Sequence, residues 1–429
     1  MRDNKLHTPV GVRDLLFDEC AIKIELTERI RDVFCRFGYQ QVESPTFEYI
    51  EVFSDEKLGS TKPVQMYKFF DRDGSTLALR SDMTPPIARI AATSFNQSPY
   101  PLRFSYFGNV FKYNENYHGK LREFSQGGVE LLGVNSVDAD GEVLAVAVNS
   151  LLSTGMTDFK ITIGDVAFFK GILEETGLPE EVCQELQERI GNRDFVGAEA
   201  IVTSHEMPKN IRQLFIELPK LVGTLSVLAY AKRLTKNRQA KRAITRLQDL
   251  FQVLRYYHIE DYVSFDLGMV NQLNYYTGII FRGFTNDSGY TIVDGGRYDN
   301  LVKQYGCPMP AVGFCIKISE VVSAVLKKGI EVPTKTAKTL VAYTMEGRST
   351  AFQIANEYRH YGQLVETSLL GEDMTENMEY AKSKNMTHIL YFVDSINMKV
   401  VSLSDEMGGF TVDITVDELI LPGKEAEES

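Results

Sequence analysis

Two long strand-forming segments joined by a polar loop constrain the fold of this chain more than any other feature. Residues 101–113 read PLRFSYFGNVFKY, residues 114–120 read NENYHGK, and residues 123–133 read EFSQGGVELLG. Runs rich in aromatic and β-branched residues predict strands, and a short polar loop between two of them predicts an antiparallel pair. An outgoing strand, a loop and a return strand are therefore expected in this region.

The rest of the first 330 residues mixes helices with strands, which hydrophobic periodicity and Gly or Pro punctuation distinguish. Before residue 100 the further predictions are a helix over 26–37 that stops at Gly38, a strand broken by Pro45, a hairpin over 67–80 with its turn at 71–74, and a helix that begins at Pro85 and Pro86. A helix is then predicted over about 139–154, and strands over 159–165, 262–268 and 274–284. The last two predictions are a glycine turn over 294–302 that leads into a helix, and a strand followed by a helix over 311–329. Residues from about 167 to 258 are rich in Leu, Glu, Lys and Arg. They predict an all-helical insertion between two parts of one sheet.

The composition changes near Val332 and Pro333, where strand and helix patterns begin to alternate. Strands are predicted for TLVAYTM, LVETSLL and HILYFV, and helices for STAFQIANEYRHYG and TENMEYAKSKNM. This alternation is typical of a small α/β domain with a mostly parallel sheet. From Lys338 to Ser429 there are 7 Lys or Arg against 16 Asp or Glu, a net charge of −9. A domain that binds RNA needs a basic patch. Because of its negative charge, this domain would repel phosphate as a whole.

Charge and cysteine usage narrow the function classes. The net charge of −12 does not attract polyanions as a whole, so a nucleic-acid role would need a local basic patch. The N-terminal MRDNKLHTPVGVRDLL carries no apolar export segment, and no apolar run is long enough to span a bilayer. The five cysteines are scattered without a CxxC pair. This usage predicts a reducing cytoplasm, with neither a disulfide framework nor a zinc site.

The return strand predicts a small polar pocket. Side chains on one face of a strand recur every second residue. A face on which a glycine separates a glutamine from a glutamate resembles the floor of a pocket, although a solvated sheet face is the plainer alternative. The residues on this face are Arg122, Phe124, Gln126, Gly128 and Glu130.

Two further segments carry candidate site residues. Asp82 and Thr84 stand just before a predicted helix, where both residue types commonly cap, so capping competes with ligand binding. Tyr275 and Tyr276 precede a glycine in NYYTG. Paired tyrosines beside glycines suit a flat ring in a tight site, and they also suit ordinary strand packing.

Taken in order, the motifs GVRDLL, SPTFEY, LALRSDMTP, FGNVFKYNENYHGKLREFSQGGVELLG, NYYTG, DGGRYDNL and AVGF resemble the histidyl-tRNA synthetase family. The resemblance covers residues 8 to about 325 and continues more faintly beyond. It implies a class II synthetase-like α+β fold: a mixed, mostly antiparallel sheet with flanking helices and a helical insertion in a core over 1–330, and an anticodon-binding-like α/β domain over 336–425. It also puts Pro45 in the motif that builds the dimer interface of class II enzymes. The residues it implies for a histidine-like pocket are Asp82, Thr84, Lys112, Gln126, Glu130, Tyr275 and Tyr276.

The departures from that family concern its three arginines, which offset phosphate charge during adenylate formation. By the resemblance these positions hold Lys112, Asn271 and Glu320 here, and Asn114 and Glu115 replace a further glutamate and arginine. A unit-charge contact at about 4 Å is worth about 1 kcal/mol in water and about 4 kcal/mol at an effective dielectric of about 20. A carboxylate in place of an arginine reverses the sign, a swing of roughly 2 to 8 kcal/mol, which corresponds to several decades in rate.

The segment LRSDMTPPIARI, together with the altered charges, resembles the regulatory subunits of ATP phosphoribosyltransferase, which are relatives of the synthetase. That resemblance implies a cytoplasmic, non-catalytic chain without a cofactor. The chain would form dimers within a hetero-octamer, support the short catalytic subunit in the first step of histidine biosynthesis and transmit feedback by histidine. No membrane and no tRNA are expected as partners. The alternatives are a divergent, active histidyl-tRNA synthetase and a free-standing amino-acid sensor or tRNA-binding paralogue.

Overall fold

A computed structural model describes residues 4–54, 61–113, 121–270, 275–286, 289–334, 336–403 and 409–419. The chain divides into two units, Met1–Val332 and Pro333–Ser429. The strands of the first unit are β1 Gln40–Gln41, β2 Phe47–Tyr49, β3 Lys68–Phe70, β4 Thr76–Leu79, β5 Leu102–Phe111, β6 Glu123–Leu132, β7 Phe159–Asp165, β8 Val222–Gly223, β9 Val263–Asp266, β10 Ile279–Thr285, β11 Val293–Arg297 and β12 Ala311–Lys317. Its helices are α1 Phe17–Arg36, α2 Thr84–Ser94, α3 Val137–Ser153, α4 Val166–Thr176, α5 Glu180–Gly191, α6 Phe195–Ser204, α7 Lys209–Glu217, α8 Leu225–Leu234, α9 Arg238–Tyr256 and α10 Ile318–Lys327.

The main sheet has nine strands in the order β1-β5-β6-β12-β11-β10-β7-β9-β8. Among its described strand pairs, only β1–β5 and β7–β9 are parallel, which confirms the expected mixed, mostly antiparallel sheet. Strands β5 and β6 pair over their full length, from Leu102 opposite Leu132 to Phe111 opposite Glu123. The predicted antiparallel pair is therefore confirmed, whereas the intervening loop 114–120 lies outside the described residues.

One face of the sheet is covered by α1, α3 and α10, and the other carries the polar residues considered below. The covered face is apolar because alternate residues of the strands, such as Val129 on β6 and Phe314 on β12, pack against Phe34 of α1 and its neighbours. Between β7 and β9 the chain forms six helices, α4 to α9. The short strand β8 pairs with β9, so this stretch is not wholly helical as predicted.

The predicted glycine turn over 294–302 is wrong. Gly295 and Gly296 lie inside β11, which pairs with β10 on one side and β12 on the other. A Cβ built on Gly295 would lie 2.4 Å from the ring of Phe281, so the glycine serves close packing within the sheet. Glycine signals a turn and a tight strand contact equally well in sequence, and here the second applies.

A buried ion cluster joins the end of β11 to α3 and α9. Arg297 is 2% exposed and donates to Oδ1 of Asp140 at 2.6 Å. Arg246 of α9 donates to Oδ2 of the same carboxylate at 2.7 Å. A further contact, from Arg297 to Asp299, measures 3.0 Å. Two cations and two carboxylates thus tie three elements together in the interior.

The second unit contains β13 Thr339–Tyr343, α11 Arg348–His360, β14 Val365–Thr367, α12 Met374–Ser383, β15 His388–Phe392, β16 Asn397–Ser402 and β17 Thr411–Thr415. Its sheet has the order β14-β13-β15-β16-β17. Strands β14, β13 and β15 are parallel, but β16 and β17 are antiparallel additions that the sequence did not predict. The expectation of a mostly parallel sheet is therefore wrong. No described helix in either unit is both long and apolar enough to cross a membrane.

Candidate functional site

Three cross-strand rows on the face of the main sheet that packs against α2 build the candidate site. Residues directly opposite one another in an antiparallel pair point to the same face, and so do residues two positions apart. The first row holds Glu130 between Phe104 and Gly313, the second holds Gly128 between Tyr106 and Cys315, and the third holds Gln126 between Gly108 and Lys317. The side-chain alternation predicted for the return strand therefore holds in this sheet.

Glu130 is the centre of the site. Its carboxylate is buried, and it accepts hydrogen bonds from Thr84 Oγ1 at 2.9 Å and from the Tyr298 hydroxyl at 2.5 Å. Burial raises the pKa of Glu130 to about 8, the two hydroxyl donors act against this, and the nearby charge of Asp82 adds to it. A Cβ on the opposite Gly313 would lie 1.7 Å from Glu130 Oε2, so only glycine leaves room for this carboxylate. At neutral pH the group is therefore largely protonated, and it ionises as the pH rises through about 8.

Asp82 and Thr84, the two candidates at the start of α2, have different roles. Asp82 accepts a hydrogen bond from the backbone N–H of Thr84 at 3.2 Å, so it acts on the first turn of α2 as the capping alternative suggested. Thr84 turns its hydroxyl to Glu130 instead. The electrostatic effect of Asp82 reaches Glu130, so both residues belong to the same polar region.

Three tyrosines form the aromatic wall. The ring centroids of Tyr275 and Tyr276 lie 4.7 Å apart, and those of Tyr275 and Tyr298 lie 5.9 Å apart. Burial raises the pKa of all three hydroxyls well above the ordinary tyrosine value, so they remain protonated and can donate hydrogen bonds. Tyr298 was missed in sequence because its segment was interpreted as a turn. Because side chains alternate between the two faces of a strand, Tyr298, two residues after Gly296, could have been assigned to the same face as Gly296.

The third row ends the site on its open side. Gln126 is 7% exposed, and its Oε1 atom has no hydrogen-bond partner among the described residues. Lys112 follows the end of β5, and its charge reaches Cys315 in the second row. Burial is the main cause that raises the pKa of the Cys315 thiol to about 12, and the cations of Lys317 and Lys112 oppose it. Gln126 thus presents an acceptor that a ligand could satisfy.

The resemblance predicted that Lys112, Asn271 and Glu320 replace family arginines, and the structure describes two of these three residues. Lys112 lies at the edge of the site, and Glu320 lies half-buried in the first turn of α10. Asn271, like Asn114 and Glu115, lies outside the described residues. Another cation, Lys317, lies in the third row, opposite Gln126.

The ammonium group of Lys317 already has partners within the protein. Its ammonium forms an ion pair with Asp294 at 2.6 Å and also contacts the Thr291 hydroxyl. Arg282 approaches the same carboxylate at 3.7 Å.

The arrangement suits a small ligand that donates hydrogen bonds and carries positive charge. Two carboxylates, Asp82 and Glu130, and the unpartnered oxygen of Gln126 are all acceptors. Charge-assisted bonds from an ammonium or an imidazole N–H to carboxylates are the strong class of hydrogen bond. The part of the chain that the structure describes has no group of three metal-ligating side chains placed to hold a metal ion.

Comparisons with known proteins agree with the fold. The family model described as histidyl-tRNA synthetase matches residues 11–321. The ATP phosphoribosyltransferase regulatory subunit of Acetivibrio thermocellus is 42% identical over 420 residues, which cover 98% of this chain and 100% of that protein.

Solved structures extend the likeness. A Bacillus halodurans C structure, described as an ATP phosphoribosyltransferase regulatory subunit/histidyl-tRNA synthetase, has a TM-score of 0.82 and 30% identity, covering 92% of this chain and 100% of that one. Histidyl-tRNA synthetase from Nostoc sp. PCC 7120 shares the fold alone, with a TM-score of 0.81, 21% identity and coverage of 96% and 97%.

The fold and the family-model match together define a class II histidyl-tRNA synthetase-like protein. Within that class, the chain belongs to the family of ATP phosphoribosyltransferase regulatory subunits. The regulatory relatives match it nearly from end to end, so the active-synthetase alternative has less support.

Proposed function

We propose that this chain is the non-catalytic regulatory subunit of a short-form ATP phosphoribosyltransferase, which catalyses the first step of histidine biosynthesis in the cytoplasm. The observation that carries the proposal is the 42% identity to a regulatory subunit over nearly the whole chain. The altered charges at Lys112, Asn271 and Glu320 support a role other than adenylate chemistry. We also propose a catalytic-domain-like core over 1–330, an anticodon-binding-like domain over 336–425, and no tRNA partner.

Complex formation tests this proposal directly. Mixed with the short catalytic subunit, the chain should elute with it from a sizing column, and light scattering should give the mass of a hetero-octamer. Ovalbumin at the same concentration serves as the unrelated control. Separate elution of the two chains at concentrations well above micromolar would contradict the partnership.

We further propose that the pocket binds histidine. The ligand-binding residues would be Asp82, Thr84, Lys112, Gln126, Glu130, Tyr275 and Tyr276, with Tyr298 as an addition from the structure. Support comes from the acceptors Gln126 and Glu130, which share one face of β6, and from the tyrosine wall, which suits a flat ring. Histidine offers the matching donors, an ammonium group and an imidazole N–H.

Glu130→Ala should weaken histidine binding by roughly 1 to 3 kcal/mol, the range for a lost hydrogen bond to a charged group. Isothermal titration calorimetry on the whole chain, alone and with the catalytic subunit, measures the affinity. Glu123→Ala, on the same strand but on its other face, is the matched control. Unchanged affinity in Glu130→Ala, or no histidine binding by the unsubstituted protein in either state, would remove the pocket proposal.

The raised pKa of Glu130 predicts a pH dependence. A ligand that requires the carboxylate form must displace the proton, because the pKa of about 8 keeps Glu130 largely protonated at neutral pH. Histidine affinity should therefore rise as the pH increases from about 6.5 to about 8, by up to about tenfold per pH unit, and then level off. Glu130→Gln should abolish this slope. A pH-independent affinity in the unsubstituted protein would contradict the assignment.

We propose a dimer built on the small sheet β2-β4-β3 that follows Pro45. Opposite residues on one face of this sheet are all apolar. Three of them remain well exposed in the single chain: Phe47 at 52%, Tyr49 at 58% and Phe69 at 39%. Contiguous exposed apolar surface commonly marks a protein interface, and a second copy would give a closed two-fold pair.

Phe47→Glu should shift the isolated chain from dimer to monomer in analytical ultracentrifugation. A two-fold interface would bury this carboxylate twice, and an uncompensated buried charge costs about 3 kcal/mol or more. Phe70→Glu is the control, because Phe70 is 79% exposed and alternates to the other face of the sheet. A dimer of equal strength in Phe47→Glu would place the interface elsewhere.

A further inference from the structure

The helical stretch between β7 and β9 contains a basic segment that the proposed function does not use. Residues 232–246, KRLTKNRQAKRAITR, hold seven Lys or Arg and no Asp or Glu. The whole chain carries 46 Lys and Arg against 58 Asp and Glu. The segment spans the end of α8 and the first half of α9, so its charge is concentrated on two neighbouring elements.

A cleft of about 810 Å³ opens beside this segment. Its volume lies in the range of small-molecule sites, about 300 to 1,000 Å³. Its walls come from α4, from the first half of α9 and from the one end of the antiparallel pair where β10 begins and β11 ends. The lining residues are Asn135, Asp165, Ala167, Glu174, Asn237, Arg238, Gln239, Arg242, Ala243, Arg246, Thr277, Gly278, Arg297 and Asp299.

Arg238, Arg242 and Arg246 form one stripe along the cleft, because residues four apart on a helix are neighbours. Arg246 is anchored by Asp140 at 2.7 Å. The exposed side chains of Arg238 and Arg242 have no hydrogen-bond or ion-pair partner within the described part of the chain. Two guanidinium groups, one helical turn apart, are thus available at the mouth of the cleft.

The acidic residues of the cleft already have donors of their own. Asp165 accepts from the N–H groups of Ala167 and Phe168 at the start of α4. Asp299 accepts from Arg297 at 3.0 Å. Glu174 accepts from the Asn237 amide at 3.3 Å. The free cations therefore face a cleft whose anions are occupied.

We propose that this cleft binds a small molecule that carries more than one phosphate group, such as a nucleoside polyphosphate or a sugar diphosphate. The planar guanidinium matches phosphate oxygens in a two-point contact, and two adjacent arginines provide two such contacts. The N-terminus of the long helix α9 adds positive potential at the same place. The described lining has no aromatic side chain on which a base could stack, so single-stranded nucleic acid fits less well.

The test uses the full chain and inorganic tripolyphosphate as the probe, with calorimetry in a low-salt buffer. The unsubstituted protein should bind it, and the double variant Arg238→Gln/Arg242→Gln should bind about tenfold or more weakly. Arg72→Gln/Arg255→Gln changes the net charge equally at exposed positions, one in the 71–74 turn and one at the other end of α9, and should leave the affinity within twofold. Thermal unfolding of each variant verifies that it is folded.

Three results would overturn the proposal. The first is no measurable binding of tripolyphosphate by the unsubstituted protein. The second is equal binding by the Arg238→Gln/Arg242→Gln variant. The third would come from fluorescence anisotropy with a labelled RNA duplex. If the protein binds this RNA more tightly than tripolyphosphate, and the Arg238→Gln/Arg242→Gln variant no longer binds the RNA, the surface is a nucleic-acid site.

Discussion

Incubated with histidine, ATP and labelled pyrophosphate, the protein is expected to transfer no label into ATP. Adenylate formation needs fixed cations around the phosphates in the transition state. By the resemblance to the synthetase family, the positions of its three arginines are expected to hold Lys112, Asn271 and Glu320 in this chain. The reversed charge at Glu320 alone corresponds to roughly 2 to 8 kcal/mol, or several decades in rate.

The environment of a second cation in the site, Lys317, strengthens this expectation. Lys317 lies three residues before Glu320, but its ammonium is paired with Asp294 at 2.6 Å and with Thr291. This lysine is already paired, and its ammonium group lacks the planar guanidinium with which an arginine makes two-point contacts. A histidyl-tRNA synthetase assayed in parallel is the positive control. Exchange at a rate typical of that enzyme would show that the site retains the activity.

Asp140→Ala is expected to lower the free energy of unfolding by about 3 to 5 kcal/mol, the range for breaking a buried ion pair by removing one partner. Asp140 is fully buried and binds both Arg297, which is 2% exposed, and Arg246. Its loss leaves the Arg297 guanidinium in the interior with only Asp299 as a charged partner.

Urea denaturation monitored by circular dichroism measures this effect. Asp138→Ala is the control, because Asp138 lies two residues away in the first turn of the same helix and is exposed. That substitution should cost about 0.5 kcal/mol or less. Equal, small losses in the two variants would mean that the buried cluster contributes little to stability.

Local pattern was enough to predict the parts of the fold that depend on neighbouring residues. The β5–β6 pair, the α1 helix that stops near Gly38, and the hairpin over 67–80 were all predicted from periodicity and turn residues. The face of β6 that carries Gln126 and Glu130 followed from the two-residue repeat.

Features that depend on distant segments could not be predicted in this way. Gly295 and Gly296 suit a turn, but pairing with β10 and β12, which come from distant segments, makes them part of a strand. The pairing of Glu130 with Tyr298 joins residues 168 positions apart. The same holds for the cluster around Asp140, whose arginines come from β11 and α9. Strand β16 was missed although turn residues separate it from β15: Asp394 accepts hydrogen bonds from the N–H groups of Ile396 and Asn397.

The measurement that tests the central claim most directly is phosphoribosyl-ATP formation by the short catalytic subunit, by this chain, and by the two together. This chain alone should form no product, and its addition should raise the turnover of the catalytic subunit, because a partner that prefers the active conformation shifts the population toward it. Added histidine should then lower the rate of the mixture, through a coupling of about 1 to 3 kcal/mol. Equal rates for the catalytic subunit with and without this chain, at concentrations where the complex is fully formed, would contradict the regulatory function.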